Sequence, residues 1–169
     1  RRDRLKRQVK EGLILLFGNN DAPSNYPANV YKYRQDSSFL YFYGQHREGL
    51  VGVIDIDNHK EYLIGNDIDI EDIVWFGAVD SVADLAAQSG GEHSAPMNRL
   101  EELVTQARTQ GRKIHFLPPY RHDQVIQLMD LTGIHPSRQR EEASLELIMA
   151  VIDQRAVKTP AEIEEIERA

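Results

Sequence analysis

The 169-residue chain carries a formal net charge of −7 and contains no cysteine. Its length favours one compact domain, and its acidic balance argues against binding along a nucleic-acid backbone, which needs a basic surface. The lack of cysteine excludes disulfides and thiolate metal sites and is compatible with a reducing compartment. No apolar run approaches the length of a membrane span. Taken together, these features lead us to expect a cytoplasmic domain that binds neither nucleic acid nor membrane.

The first part of the chain predicts a helix followed by strands. Residues 1–11 have the spacing of a basic amphipathic helix. Leu13–Phe17 is apolar throughout, which is typical of a strand covered on both faces. A loop rich in Gly, Asn, Asp and Pro follows over residues 18–30. Farther along, Leu50–Ile56 and Glu61–Ile64 flank a tight turn and predict an antiparallel hairpin.

The densest aromatic cluster lies between Tyr31 and Gly44. Its second half predicts a strand, because aromatic residues pack well on a pleated surface and Gly44 would end the run. The polar turn before it contains Arg34 and Asp36, and the Asp36 side chain can accept hydrogen bonds from nearby backbone N–H groups. Two interpretations stay open: a core strand edged by tyrosines, or a strand whose Arg34 and tyrosines face a cleft.

From residue 80 onward the apolar spacing is helical. Asp80 or Ser81 caps a first helix, and Asn98 with Glu101 resembles a capping box for a second. A short strand, Lys113–Leu117, separates these helices from the next ones. This alternation, after an initial hairpin, predicts an α/β domain with a mixed sheet.

Two further helices are predicted over residues 121–132 and 143–156. Thr159 then precedes Pro160 and Glu162, the arrangement of a helix start with a capping box. That last helix reaches the end of the sequence without a stop signal, so we expect the natural protein to continue. The core residues predicted for the first two of these helices are Val125, Ile126, Leu128, Met129, Leu145, Ile148, Val151 and Ile152.

The residues show no self-contained active site. The six histidines are scattered without a metal-ligand spacing, and neither a nucleophile elbow nor a phosphate-binding glycine loop occurs. We therefore expect no catalytic residue and no metal ligand within this chain.

Three motifs in series resemble the N-terminal domain of Xaa-Pro aminopeptidases (aminopeptidase P), whose relatives include prolidase and creatinase. They are YRQDSSFLYFYG at 33–44, IVWFG at 73–77 and RAVKTPAEIEEIERA at 155–169. The resemblance implies a creatinase-like α/β fold, a mixed sheet flanked by helices on both faces. It implies that residues 1–153 form this N-terminal domain and that 154–169 are the linker and first helix of an absent C-terminal catalytic domain.

The resemblance also implies an activity for the parent protein. Such enzymes remove the N-terminal residue that precedes proline, using two divalent metal ions, commonly manganese, held in the C-terminal domain. The N-terminal domain would shape the substrate cleft and the interface of a homo-oligomer, and would be inactive alone. Two alternatives stay open: a non-catalytic binding domain of a creatinase-fold protein, or the N-terminal domain of a prolidase.

Three substrate-binding residues follow from the resemblance. Trp75 matches a family tryptophan that approaches the substrate site across a subunit boundary. Asn29 ends the loop, Asn25 to Asn29, with which family members contact the cleft, although Ala28 stands where some relatives carry Asp. Arg34 matches a family arginine that fixes the loop.

Overall fold

The structure is a computed structural model that describes residues 1–68, 77 and 79–168. The strands of these residues are β1 Leu13–Phe17, β2 Pro23–Tyr26, β3 Asn29–Val30, β4 Val51–Asp55, β5 Lys60–Ile64, β6 His93–Ala95 and β7 Ile114–Phe116. The helices are α1 Arg2–Val9, α2 Ser37–Tyr43, α3 Val82–Gln88, α4 Asn98–Thr109, α5 His122–Thr132, α6 Leu145–Ala156 and α7 Pro160–Arg168.

The main sheet is mixed, as predicted. Its strands lie in the order β6-β5-β4-β1-β7, and β2 and β3 form a separate two-stranded sheet. The predicted hairpin is β4 and β5, which pair antiparallel with Val51 opposite Ile64. Strand β4 also pairs antiparallel with β1, whereas β7 runs parallel to β1 and β6 runs parallel to β5.

Helices cover both faces of this sheet, so the predicted fold class is confirmed. Alternate residues of β1 supply the two core clusters, because successive side chains of a strand point to opposite faces. Ile14 and Leu16 pack in the cluster that contains the buried residues of α1, α2, α3 and α6. Leu13 and Leu15 pack in the cluster that contains the buried residues of α4.

The strand predicted in the aromatic segment is wrong, because this segment forms α2. The Asp36 carboxylate accepts from two backbone N–H groups of the first turn, each at 2.8 Å, and so caps the helix. Gly44 ends the helix with a φ of 70°, in the left-handed region that favours glycine. Phe39, Phe42 and Tyr43 are buried, and this spacing of three and four residues is that of one helix face.

The predicted helix starts are partly confirmed. Ser81 and Asp84 form a complete capping box at α3. At the start of α7, Thr159 and Glu162 exchange hydrogen bonds of 2.8 Å and 3.3 Å, as predicted. The Asn98 cap is wrong, because α4 begins after Met97 and no side chain caps it.

Three residues assigned to the core are exposed instead: Ile126, Leu145 and Ile152. The helices that carry them bury faces that include glutamines, Gln124 in α5 and Gln154 in α6. Gln124 is satisfied inside the protein, since its Nε2 donates to the Gly18 carbonyl at 3.2 Å. Apolar spacing alone therefore gives the wrong rotation for both helices.

His115 on β7 connects three segments. Its ring is buried, with Nδ1 2.7 Å from Ser144 Oγ and Nε2 3.1 Å from the Glu11 carbonyl oxygen. The carbonyl accepts from Nε2–H, so Nδ1 accepts from the Ser144 hydroxyl. Ser144 is also the N-cap of α6. Burial lowers the pKa of His115, which favours this neutral imidazole.

Candidate functional site

The candidate site lies where β1 and β7 end. Because these neighbouring strands are parallel, the loops that follow them leave the sheet at the same edge, the usual place for ligand sites in α/β sheets. Asn19 joins the two loops. Its Nδ2 donates to the Arg34 carbonyl at 2.8 Å and to the Tyr120 hydroxyl at 3.2 Å. We call this region the Asn19 edge: Asn19, Tyr33, Arg34, Gln35, Asp36, Tyr120 and Gln124.

Gln35 is the buried centre of the Asn19 edge. Its Oε1 accepts from the backbone N–H groups of Asn19 at 2.7 Å and Asp36 at 2.8 Å. Its Nε2 donates to the Arg47 carbonyl at 2.8 Å. One side chain thus satisfies three backbone groups, and leaving such groups buried and unpaired is costly. Gln35 therefore fixes the backbone on the carboxyl side of Arg34.

Tyr33 fixes the backbone on the other side. Its hydroxyl lies 3.2 Å from the carbonyl oxygens of both Asn19 and Arg47, and donates to one of them at a time. Burial raises the pKa of Tyr33, and the nearby carboxylates of Glu48 and Asp21 raise it further. The hydroxyl consequently remains a proton donor at neutral pH.

Arg34 is held by its backbone and presents its side chain to solvent. Its residue neighbours on both sides are anchored, and its carbonyl accepts from Asn19. The guanidinium is exposed and forms no ion pair within the described part of the chain. A guanidinium can bind a carboxylate or a carbonyl, and because the backbone of Arg34 is already fixed, only the side chain loses conformational freedom on binding.

Asn29 lies in the exposed β2–β3 hairpin, which the sequence predicted only as loop. Its Nδ2 donates to Asn25 Oδ1 at 2.7 Å, across the turn that contains Ala28. The hairpin precedes Arg34 in the same loop, but Asn29 and Arg34 have different hydrogen-bond partners. Trp75 lies outside the described residues. The three proposed substrate contacts therefore stay predictions.

The Asn19 edge offers hydrogen-bond donors rather than a nucleophile. Tyr120 accepts from Asn19 and lies 3.2 Å from Asp36 Oδ2, to which it donates, so its exposed ring is held in place. No group of three His, Cys, Asp or Glu side chains among residues 1–68, 77 and 79–168 could hold a metal ion. Within the same residues, no helix is both long enough and apolar enough to cross a membrane.

Of the Asn19 edge, the sequence predicted a substrate contact at Arg34 and placed Gln35 and Asp36 in a polar turn, but it gave no role to Asn19, Tyr120 or Gln124. The available signals were the polar loop after β1 and the tyrosine that follows Pro118 and Pro119 after β7. They become a site only once β1 and β7 are known to be adjacent.

Comparison with known proteins gives the family. A family model for the N-terminal domain of aminopeptidase P matches residues 1–115. Aminopeptidase PepP of Pseudomonas aeruginosa superposes with a TM-score of 0.74 at 20% identity, over 96% of this chain and 39% of that one. The low-pH form of aminopeptidase P from E. coli gives a TM-score of 0.73 at 20% identity, over 99% of this chain and 41% of that one.

The chain thus spans about two fifths of the length of these solved structures. No curated protein matches it. The likeness to the solved structures shows the shared fold, and the family model covers more than half of the chain. The chain belongs to the aminopeptidase P N-terminal domain family.

Proposed function

We propose that this chain is the non-catalytic N-terminal domain of a Xaa-Pro aminopeptidase. The parent enzyme removes the N-terminal residue that precedes proline. It uses two divalent metal ions, which we take to be manganese, held in its C-terminal domain. It acts in the cytoplasm as a homo-oligomer. The observation that carries this proposal is the match of residues 1–115 to the family model.

The metal ions do not fit the described residues of this chain. These residues provide no set of three metal-binding side chains, so we assign them no step at a metal. Their part is to bind and orient the peptide and to narrow its access to the reacting groups, which lowers the entropic cost of reaction.

The proposed division places residues 1–153 in this domain and 154–169 in the connection to the catalytic domain. Helix α7 supports it, because none of its residues is buried against the rest of the chain. Its start has its own capping box at Thr159, so it does not depend on the preceding fold for its first turn.

In this proposal the Asn19 edge and the β2–β3 hairpin face the substrate. Arg34 binds a peptide carbonyl or carboxylate through its guanidinium. Asn29 contributes an amide at the hairpin. Trp75 supplies an apolar surface to the substrate of a neighbouring subunit.

The test uses the complete parent protein with manganese and a peptide that has proline at its second position. We expect cleavage before proline. Arg34→Ala should raise KM by about tenfold with kcat nearly unchanged, because the contact is made equally in the ground state and the transition state. The measurement is steady-state kinetics of amino-acid release.

The matched control is Arg140→Ala, which removes an exposed arginine from the segment between α5 and α6. We expect no change in KM. If the parent fails to cleave the peptide with metal present, the peptidase proposal is wrong and a non-catalytic binding domain replaces it. If cleavage occurs but Arg34→Ala leaves KM unchanged, only the peptide contact is wrong.

A further inference from the structure

Helix α6 is apolar on two opposite faces. One face is buried and consists of Leu147, Ala150, Val151 and Gln154. The other consists of Leu145, Met149 and Ile152, which are 70%, 48% and 51% exposed. We call these three residues the α6 outer face. Residues of a helix are about 100° apart in rotation, so the outer face lies directly opposite the buried one.

The α6 outer face has the pattern of a surface that is normally covered. The spacing of four and then three residues aligns the three side chains along about 10 Å of the helix axis. A surface helix usually carries polar residues opposite its buried face, whereas a helix that is apolar all round is typical of a buried position. Contiguous exposed apolar surface marks interaction sites.

Acidic residues border one edge of the α6 outer face. Glu146 and Asp153 lie on the same side of the stripe, seven residues apart in sequence. Glu146 is 3.6 Å from Lys113 Nζ, whereas Asp153 has no ion-pair partner among the described residues. A cation on the covering surface would therefore find an available carboxylate at Asp153.

This charge pattern disfavours an antiparallel pair of α6 helices from two copies of the chain as the cover. In an antiparallel pair of α6 helices related by a two-fold axis, like edges meet. Glu146 of one copy would then lie beside Asp153 of the other, and two carboxylates at an apolar interface repel each other. A parallel pair, in which unlike edges meet, avoids this repulsion and is recognised by its dependence on protein concentration.

The solved relatives are longer than this chain and so contain further surface that could cover the α6 outer face. They match 96% and 99% of this chain, α6 included, while the chain covers only 39% and 41% of theirs. In each relative the shared fold is thus part of a longer polypeptide. In this chain the next element, α7, also exposes apolar residues, Ile163 and Ile166.

We infer that the α6 outer face is the docking surface for the catalytic domain of the same polypeptide, which presents an apolar patch with a cation opposite Asp153. This inference rests on the proposed function, since it takes the following polypeptide to be that domain. In this arrangement the α6 outer face, which points away from the core, contacts the catalytic domain. The linker is then not the only connection between the two domains.

The three methionines of the chain provide the test, because oxidation of a thioether by hydrogen peroxide follows its exposure. Met149 is the most exposed of them here, while Met97 and Met129 are half-buried. In the complete protein, docking should reverse this order, so that Met149 is oxidised more slowly than Met97 and Met129. The measurement is the oxidation rate of each methionine by peptide mass spectrometry.

Ile152→Glu should restore the fast oxidation of Met149, by about tenfold or more, because it places an unpaired charge in the interface. The matched control is Ile126→Glu, the same change at a residue of similar exposure, 55%, on α5. It should leave Met149 protected. If Ile152→Glu fails to fold, the order of the three rates in the wild type still decides.

Two outcomes would overturn the docking surface. In one, Met149 is the fastest to be oxidised in the wild type. In the other, its protection is lost on dilution together with a fall in molecular mass, which would show that a second copy covers it. Peptidase activity is assayed in the same samples. If the protein is inert but Met149 is protected, the proposed activity is wrong and the docking surface stands. If the protein is active but Met149 is oxidised fastest, the activity stands and the docking surface is wrong.

Discussion

The Asn19 edge and the α6 outer face are opposite arrangements of polar and apolar groups. At the Asn19 edge, polar side chains such as Gln35 are buried, and their hydrogen bonds are made within this chain. At the α6 outer face, apolar side chains such as Leu145 are exposed, and none of the residues that the structure describes covers them. The difference indicates that the first region is complete within these residues, whereas the second is half of an interface.

The two faces of α6 allow the sharpest test of this difference. Leu147 is fully buried and Leu145 is 70% exposed, on the same helix. Leu147→Ala should lower the free energy of unfolding of the 169-residue chain by about 2–5 kcal/mol, because it removes buried apolar surface and leaves a cavity. The measurement is chemical denaturation followed by circular dichroism.

Leu145→Ala is the matched control, and it should change the same free energy by no more than about 0.5 kcal/mol. A loss of the size seen for Leu147→Ala would show that the outer face is already covered in this chain, for example by self-association. Repeating the measurement at several protein concentrations separates that case from packing within one molecule.

At the Asn19 edge, replacing a polar side chain by an apolar one should be harmful. Gln35→Leu keeps the side chain similar in size but leaves the backbone N–H groups of Asn19 and Asp36 without the acceptor that Gln35 provides. We expect a loss of about 2–3 kcal/mol in the free energy of unfolding, because unpaired buried groups are penalised. The same denaturation experiment measures it.

The matched control for this change is Gln127→Leu. Gln127 is half-buried, and among the described residues its side-chain amide makes one long contact, 3.9 Å from Nε2 to the Met97 sulfur. Its replacement should cost little. If the two variants are equally stable, the hydrogen bonds of Gln35 are not what holds the backbone around Arg34.

Much of the fold could be predicted from local patterns. The apolar run of β1 predicted a sheet covered on both faces, and the turn between β4 and β5 predicted their pairing. The prediction for the aromatic segment was wrong. Its aromatic residues favour a strand, whereas the capping residues at its two ends favour a helix. Asp36 at its start and Gly44 at its end are capping residues at helical separation, and they were the better guide.

The candidate site was less predictable because its contacts are distant in sequence. Asn19 and Tyr120 are separated by 101 positions, and only the parallel pairing of β1 and β7 brings them together. The buried glutamines of α5 and α6 had a related effect. They pack as core residues because their amides find partners inside, and no pattern of apolar spacing indicates that.

The smallest expected effect concerns the start of α6, where the buried region and the outer face meet. His115 is neutral there, and burial lowers its pKa below the usual 6.5, with Lys113 acting in the same direction and Glu146 and Glu11 opposing. As the pH falls below about 6.5, the unfolded chain binds a proton at this position and the folded chain does not. Stability should therefore fall with pH until the lowered pKa is reached.

The contribution of one such group is at most about 1.4 kcal/mol per pH unit. Other groups titrate in the same range, so the measurement is the difference in pH profile between the wild type and His115→Gln, which lacks the titrating ring. His122→Gln, at an exposed histidine, is the control and should retain the wild-type slope. Equal slopes in all three proteins would mean that His115 is protonated as easily when folded as when unfolded. The hydrogen bond from Ser144 would then not require a neutral ring, and the position of α6 on the core would not depend on pH through this residue.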